Sequence, residues 1–117
     1  MSADDKPVVW LETAVKTPPM SAATRLEAGY LLRRLQRGDR LGMPYSRPLP
    51  SIGKRVHELR LTDGESRAEW RIVYRLDADA VVVADVFRKT TRATPARVVE
   101  RCQGRLRDYD TAQSAEE

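Results

Sequence analysis

The chain has few of the side chains from which metal sites and covalent catalytic centres are built. Its 117 residues include one cysteine, Cys102, and one histidine, His57. A lone cysteine cannot form an intrachain disulfide, and the two residues are too few for a zinc site of thiolates and imidazoles. The sequence also lacks a glycine-rich phosphate loop and a serine–histidine–aspartate arrangement. It therefore predicts no metal and no cofactor.

Long apolar segments are absent as well. No run approaches the roughly 20 apolar residues of a membrane-spanning helix. Residues 1–7 are polar and acidic, unlike a signal peptide, and a low cysteine content is typical of a reducing compartment. We expect a cytoplasmic protein with no membrane partner. The length suits a single domain over residues 1–117, with a core at about 8–109 and flexible polar ends.

Positive charge is present in excess and is unevenly distributed. Lysine and arginine number 21 against 17 aspartates and glutamates, for a formal net charge of +4. The cations crowd residues 33–60 and 88–107, and most of them are arginines. Arginine suits bidentate contacts with phosphate and stacking on bases. A GC-rich genome would produce the same bias, so composition alone leaves both explanations open.

Hydrophobic periodicity predicts the order strand, helix, three strands, helix. The first strand covers residues 8–11, and a helix capped by Ser21 runs from 22 to about 36. Residues 41–53 contain too many prolines and glycines for a regular element. Strands follow at 55–61, 69–76 and 80–87, and a last helix runs from Thr94-Pro95 to about Tyr109. This order predicts an α+β fold, in which helices pack on one face of a small, mainly antiparallel sheet.

Alternation along the strands sorts their side chains between the two faces of the sheet. Arg60, Arg71 and Arg75 should emerge together on the face without helices. The simpler alternative is a solvated polar face on which Glu58 pairs with an arginine. His57 falls on the apolar side, which suggests a core residue, although its ordinary pKa near neutrality also makes it a candidate general base.

Three segments carry a family resemblance. They are Val-His-Glu-Leu-Arg at 56–60, Trp-Arg-Ile-Val-Tyr at 70–74 and Phe-Arg-Lys-Thr-Thr-Arg-Ala-Thr-Pro at 87–95. In this order and spacing they resemble the RelE/ParE-type toxin superfamily, and within it the HigB-like, phage-derived branch. The resemblance extends over about residues 8–109.

The resemblance implies the toxin of a type II toxin–antitoxin pair. RelE-like and HigB-like members are endoribonucleases that cut messenger RNA, usually in the ribosomal A site. They use no metal, and the ribose 2′-hydroxyl attacks the adjacent phosphate. The implied partners are a helix-turn-helix antitoxin, messenger RNA and the ribosome. Two alternatives remain open: a ParE-like inhibitor of DNA gyrase without catalysis, and a degenerate phage-derived protein that only binds an antitoxin.

Motif positions imply which residues would act. Arg60, Arg71 and Lys89 match the recurrent catalytic cations of the branch, and the remaining cations near these segments are candidates for binding RNA phosphates: Arg75, Arg88, Arg92, Lys54 and Arg55. His57 and Tyr109 are candidates for the acid or base. His57 stands where relatives often have an aromatic residue, and Tyr109 only approximates the position of their C-terminal catalytic tyrosine or histidine. The lack of an obvious acid–base pair favours the two alternatives.

Overall fold

The structure, a computed structural model, describes residues 5–12 and 19–116, so part of the predicted acidic N-terminal segment, residues 1–4, lies outside it. A single sheet has the strand order β1-β5-β4-β3-β2, in which β1 is parallel to β5 and the other pairs are antiparallel. The predicted α+β fold is confirmed. Along the chain the elements are β1 (Val8–Trp10), α1 (Ala22–Gln36), β2 (Ser46–Pro48), β3 (Val56–Thr62), β4 (Glu69–Leu76), β5 (Val81–Lys89) and α2 (Ala96–Ala115).

Local sequence signals account for the ends of the helices. The Ser21 hydroxyl accepts a hydrogen bond from the Thr24 amide at the start of α1, and Gly38 follows its end with a φ of 94°. Helix α2 begins directly after Pro95. It continues past its predicted end near Tyr109 because alanine and glutamine favour helix there and neither glycine nor proline interrupts. No helix of the described residues is long and apolar enough to span a membrane.

The two helices pack against opposite faces of the sheet, which differs from the expected packing on one face. The core under α1 contains Leu59, Ile72 and Val83, whereas the core under α2 contains Val73 and Val82. These residues alternate along the same strands, so the two cores lie on opposite sides. The cause is visible in β5, where residues 80–84 form a continuous apolar run that is buried on both faces. We call the two sides the α1 face and the α2 face.

A β-bulge in β5 changes which of its residues lie on each face. Val73 pairs with Asp85 and Tyr74 pairs with Val83, so Ala84 is an extra residue in β5. Beyond the bulge, Lys89 pairs with Glu69 and therefore lies on the α2 face. Without the bulge, Lys89 would share the α1 face with Val83.

The predicted connector at residues 41–53 contains one short strand. In β2, Ser46 pairs with Leu59 and Arg47 pairs with Glu58. Three residues ending in proline give no periodic signal, and Pro48 is tolerated because β2 is an edge strand. This edge strand brings a cation from the connector to the side of β3.

Candidate phosphate-binding and catalytic site

A buried carboxylate surrounded by arginines lies on the α2 face. Glu58 is 0% exposed, and its oxygens are 3.1 Å from Arg47 Nη2, 3.7 Å from Arg60 Nη1 and 3.8 Å from Arg71 Nε. Strand pairing produces this grouping, because Glu58 is opposite Arg47 on β2 and Arg60 is opposite Arg71 on β4. Burying a carboxylate costs free energy unless nearby cations compensate its charge. The arginines therefore stabilise Glu58, and Glu58 in turn reduces the repulsion among the arginines.

Several polar atoms at the centre of this group have no hydrogen bond. Among the described residues, neither carboxylate oxygen of Glu58 has an aligned donor, and Arg71 Nε has no acceptor. Arg71 Nη1 does donate to the Trp70 carbonyl at 3.0 Å and to Glu69 Oε2 at 3.1 Å. Unpaired buried polar atoms are rare in folded proteins and call for an explanation. The contacts of Glu58 with the three arginines are therefore ion pairs at 3.1–3.8 Å without hydrogen-bond alignment.

Lys89 completes what we call the cation cluster: Arg47, Arg60, Arg71 and Lys89. Burial lowers the pKa of Lys89, and the positive charges of Arg71, Arg47 and Arg60 lower this pKa further, while the Glu58 carboxylate opposes the shift. The lysine is half-buried and not fully enclosed. A lysine with a lowered pKa releases its proton more readily than an ordinary surface lysine.

The exposed edge of the cluster carries a net positive charge. The side chains of Arg47 and Arg60 are 44% and 26% exposed. The group contains two carboxylates, Glu58 and Glu69, and Glu69 pairs with Arg71. Although burial opposes the shift, hydrogen bonds from Thr62 and Arg71 lower the pKa of Glu69. Four cations against two carboxylates suit a phosphate and, still better, the more highly charged phosphorane formed when a phosphodiester is attacked.

Arg75 lies on the α2 face but is not part of this cluster. It is four residues along β4 from Arg71, about 13 Å at the usual rise of a strand. Its guanidinium donates to Asp77 at 2.7 and 2.8 Å and to Asp110 on α2 at 2.7 and 3.0 Å. These partners raise the pKa of Arg75 and fix α2 to the sheet. The expected grouping of Arg75 with Arg60 and Arg71 is therefore not observed.

The other predicted phosphate-binding cations are also distributed elsewhere. Lys54 and Arg55 precede β3, at the end of the sheet where Arg75 lies. Arg88 is exposed and is opposite Trp70, which places it on the α1 face. Arg92 is exposed in the segment between β5 and α2. The structure thus brings Arg60, Arg71 and Lys89 together and leaves the other candidates outside the cluster.

Neither candidate acid or base lies beside the cation cluster. His57 is on the α1 face, where its ring stacks on Tyr74 with centroids 5.4 Å apart and its Nδ1 is 3.1 Å from the Arg55 carbonyl. Tyr109 lies on α2 and packs against the core under this helix, on the side of Arg75. Burial raises the pKa of its hydroxyl. A half-buried, stacked histidine fits the structural interpretation of His57 suggested by alternation.

Sequence reasoning missed Arg47 as a member of the site and assigned Glu58 only a pairing role. Arg47 escaped because its strand is too short to be recognised among prolines. The position of Glu58 did contain a signal, since it shares its face of β3 with the apolar Val56, and a carboxylate on a buried face needs a cationic partner. The number of arginines that meet it depends on strand pairing.

The fold and the site define a small α+β protein with a cation cluster on one face of its sheet. Residues 19–107 match the family described as phage-derived protein Gp49-like (DUF891), and the chain belongs to this family. The family is part of the RelE-like group of type II toxins. No curated protein and no solved structure matches the chain significantly.

Proposed function

We propose that the chain is the toxin of a type II toxin–antitoxin system and that it cleaves messenger RNA without a metal, in the manner of HigB-like toxins. The observation that carries the proposal is the cation cluster, in which Arg60, Arg71 and Lys89 meet on the α2 face around the buried Glu58. Family membership supports the toxin assignment. A helix-turn-helix antitoxin is the proposed partner, and the ribosome presents the message.

The cluster fits the charge changes of the reaction. The 2′-oxygen of a ribose forms a bond to the adjacent phosphorus while the bond from phosphorus to the 5′-oxygen breaks, leaving a 2′,3′-cyclic phosphate and a 5′-hydroxyl. Negative charge grows on the phosphoryl oxygens. Arg60, which is partly exposed, stabilises this charge directly, and the buried Arg71 contributes through its nearby positive charge. Such stabilisation is stronger in the transition state than in the ground state, so it raises the rate more than the affinity.

Lys89 supplies the proton to the departing 5′-oxygen. Its lowered pKa makes it a better acid than an ordinary lysine. Glu69, the partly exposed carboxylate of the cluster, accepts the proton from the 2′-hydroxyl. Because its lowered pKa makes it a weak base, this transfer accompanies the formation of the bond to phosphorus. Glu58 is fully buried and acts as the positioning residue that holds the guanidiniums together.

Induced expression in bacteria with primer extension on a translated message tests the proposal. We expect growth arrest and truncated transcripts with wild-type protein, and intact transcripts with Arg60→Ala. The matched control is Arg25→Ala, which removes an exposed arginine from α1, on the other face of the sheet. Growth arrest with intact transcripts and accumulated cleaved gyrase–DNA complexes would replace the proposal with gyrase inhibition. Normal growth would favour a protein that only binds an antitoxin.

A further inference from the structure

A cleft of about 600 Å³ opens between α2 and the segment that precedes β3. Its apolar lining includes Ile52, Val56 and Leu106, which also belong to the core under α2. Lys54 and Arg107 stand on opposite sides of it, one on the segment before β3 and one on α2. None of the residues of the cation cluster lines this cleft, so it is a separate feature of the α2 face.

The charge of the cleft is positive after its internal ion pairs are taken into account. Arg75 is bonded to Asp110 and Asp77, and Arg55 also pairs with Asp77, so these two carboxylates and two arginines compensate one another. Within residues 5–12 and 19–116, neither Lys54 nor Arg107 has a carboxylate within ion-pair distance. Two uncompensated cations therefore flank the cleft, a combination that suits an anionic group such as a phosphate of a nucleic-acid backbone.

The backbone fixes the third cation of the cleft. Arg55 has a φ of 63°, in the left-handed region that few residues other than glycine adopt. Its carbonyl oxygen accepts a hydrogen bond from the Leu76 amide at 3.1 Å and lies 3.1 Å from His57 Nδ1. Its guanidinium is 3.6 Å from Asp77 and stays 61% exposed. Strained backbone of this kind is often found at ligand sites, where it directs a side chain.

We propose that this cleft binds a nucleotide of the same single-stranded RNA that reacts at the cation cluster. Lys54 and Arg107 hold its phosphate. The inference rests on the proposed function for the identity of the strand. Arg55 and Arg60 are five residues apart, about 16 Å at the rise of a strand, which corresponds to about five stacked nucleotides. The cleft would therefore contact RNA several nucleotides from the bond that is cut, and would favour long substrates over short ones.

Binding of fluorescently labelled 2′-O-methyl RNA, which lacks the attacking hydroxyl, tests the cleft separately from cleavage. A decamer spans both sites and a trinucleotide does not. The variant is Lys54→Ala/Arg107→Ala, and the matched control is Arg25→Ala/Arg37→Ala, which removes two exposed cations from the region of α1. We expect the variant to lose about tenfold in decamer affinity at low salt. Its slope of log affinity against log salt should fall by about 0.7, since the two cations hold one phosphate and each single-strand phosphate contact contributes about 0.7.

The remaining measurements each have one interpretation. The affinity of the variant for the trinucleotide should fall less than its affinity for the decamer, and the decamer affinity of the control should equal that of the wild type. A decamer affinity and salt slope that do not change in the variant, or a wild-type protein that does not bind the decamer, would overturn the cleft site. Decamer binding that depends on the cleft, combined with intact transcripts in cells, would refute the cleavage proposal and leave the cleft site standing.

Discussion

Replacing Arg71 by methionine tests whether the buried carboxylate and the arginines form one energetic unit. Arg71 is 4% exposed and Glu58 is 0% exposed, so the substitution removes one of three cations from a carboxylate that water does not reach. Methionine keeps much of the side-chain volume, which limits the effect of an empty space. The main perturbation is therefore electrostatic. Because Arg71 is buried, truncating it changes stability as well as activity, unlike an ordinary residue of an exposed sheet face.

The magnitude follows from what remains around Glu58. Removing the partner of a buried ion pair typically costs about 3–5 kcal/mol when the other charge is left alone. Here Arg47 stays 3.1 Å away and Arg60 stays 3.7 Å away. We therefore expect Arg71→Met to lower the free energy of unfolding by about 2–3 kcal/mol, somewhat below that range. Glu58→Gln alone should also destabilise, since it leaves Arg71 buried with only Glu69 as a counter-charge.

The double variant isolates the interaction. Once Glu58→Gln has removed the carboxylate, Arg71→Met should cost about 1–2 kcal/mol less than it does in the wild type, a coupling usual for residues in contact. Urea unfolding at neutral pH measures all four proteins. With an m-value of about 1–3 kcal/mol/M, the single variant should shift the midpoint by roughly 1 M or more without a change in slope. A loss below about 0.5 kcal/mol for Arg71→Met, or energies that simply add in the double variant, would refute the reasoning.

Three further predictions concern the cluster, the histidine and one titrating carboxylate. Lys89→Ala should lower the cleavage rate about 10²–10³-fold in primer extension, whereas its neighbour variant Arg88→Ala, on the α1 face, should cleave normally; equal loss in both would contradict the assignment. His57→Gln should lower the free energy of unfolding, measured in urea, by about 0.5–1.5 kcal/mol because the stacking on Tyr74 is lost, and it should leave cleavage intact. A folded variant with a hundredfold lower cleavage rate would make His57 the base. Three backbone amides donate to the Asp63 carboxylate: that of Ser21 at the start of α1, and those of Glu65 and Ser66 in the β3–β4 turn. These hydrogen bonds hold the pKa of Asp63 at about 2, below its ordinary value of 3.8. The stability contributed by ionised Asp63 is thus full above about pH 4 and disappears as the pH falls through 2. The urea unfolding midpoints of wild type and Asp63→Asn should therefore differ near neutrality and converge near pH 2. A difference that stays constant with pH would contradict this prediction.

Much of the fold follows from local patterns in the sequence. Residues 69–76 alternate and end at turns, so their extent as a strand was predicted without error, and Ser21 with Gly38 delimits α1 as expected. The motif positions of Arg60, Arg71 and Lys89 indicated three of the four cations that the structure brings together. Local hydrogen bonding and hydrophobic periodicity depend on residues close together in the chain, so the sequence alone is enough to predict them.

Long-range pairing decided the rest. The packing of α1 and α2 on opposite faces depends on β5 being central and buried on both sides, which its own sequence permits but does not require. The extra residue Ala84 moves Lys89 to the face of Arg71, and no local signal marks that bulge. The edge strand β2 adds Arg47 to Glu58, while ion pairs with Asp110 hold Arg75 away from the cluster. The sequence therefore determined which strands and cations exist, and the register between strands determined which cations surround one carboxylate.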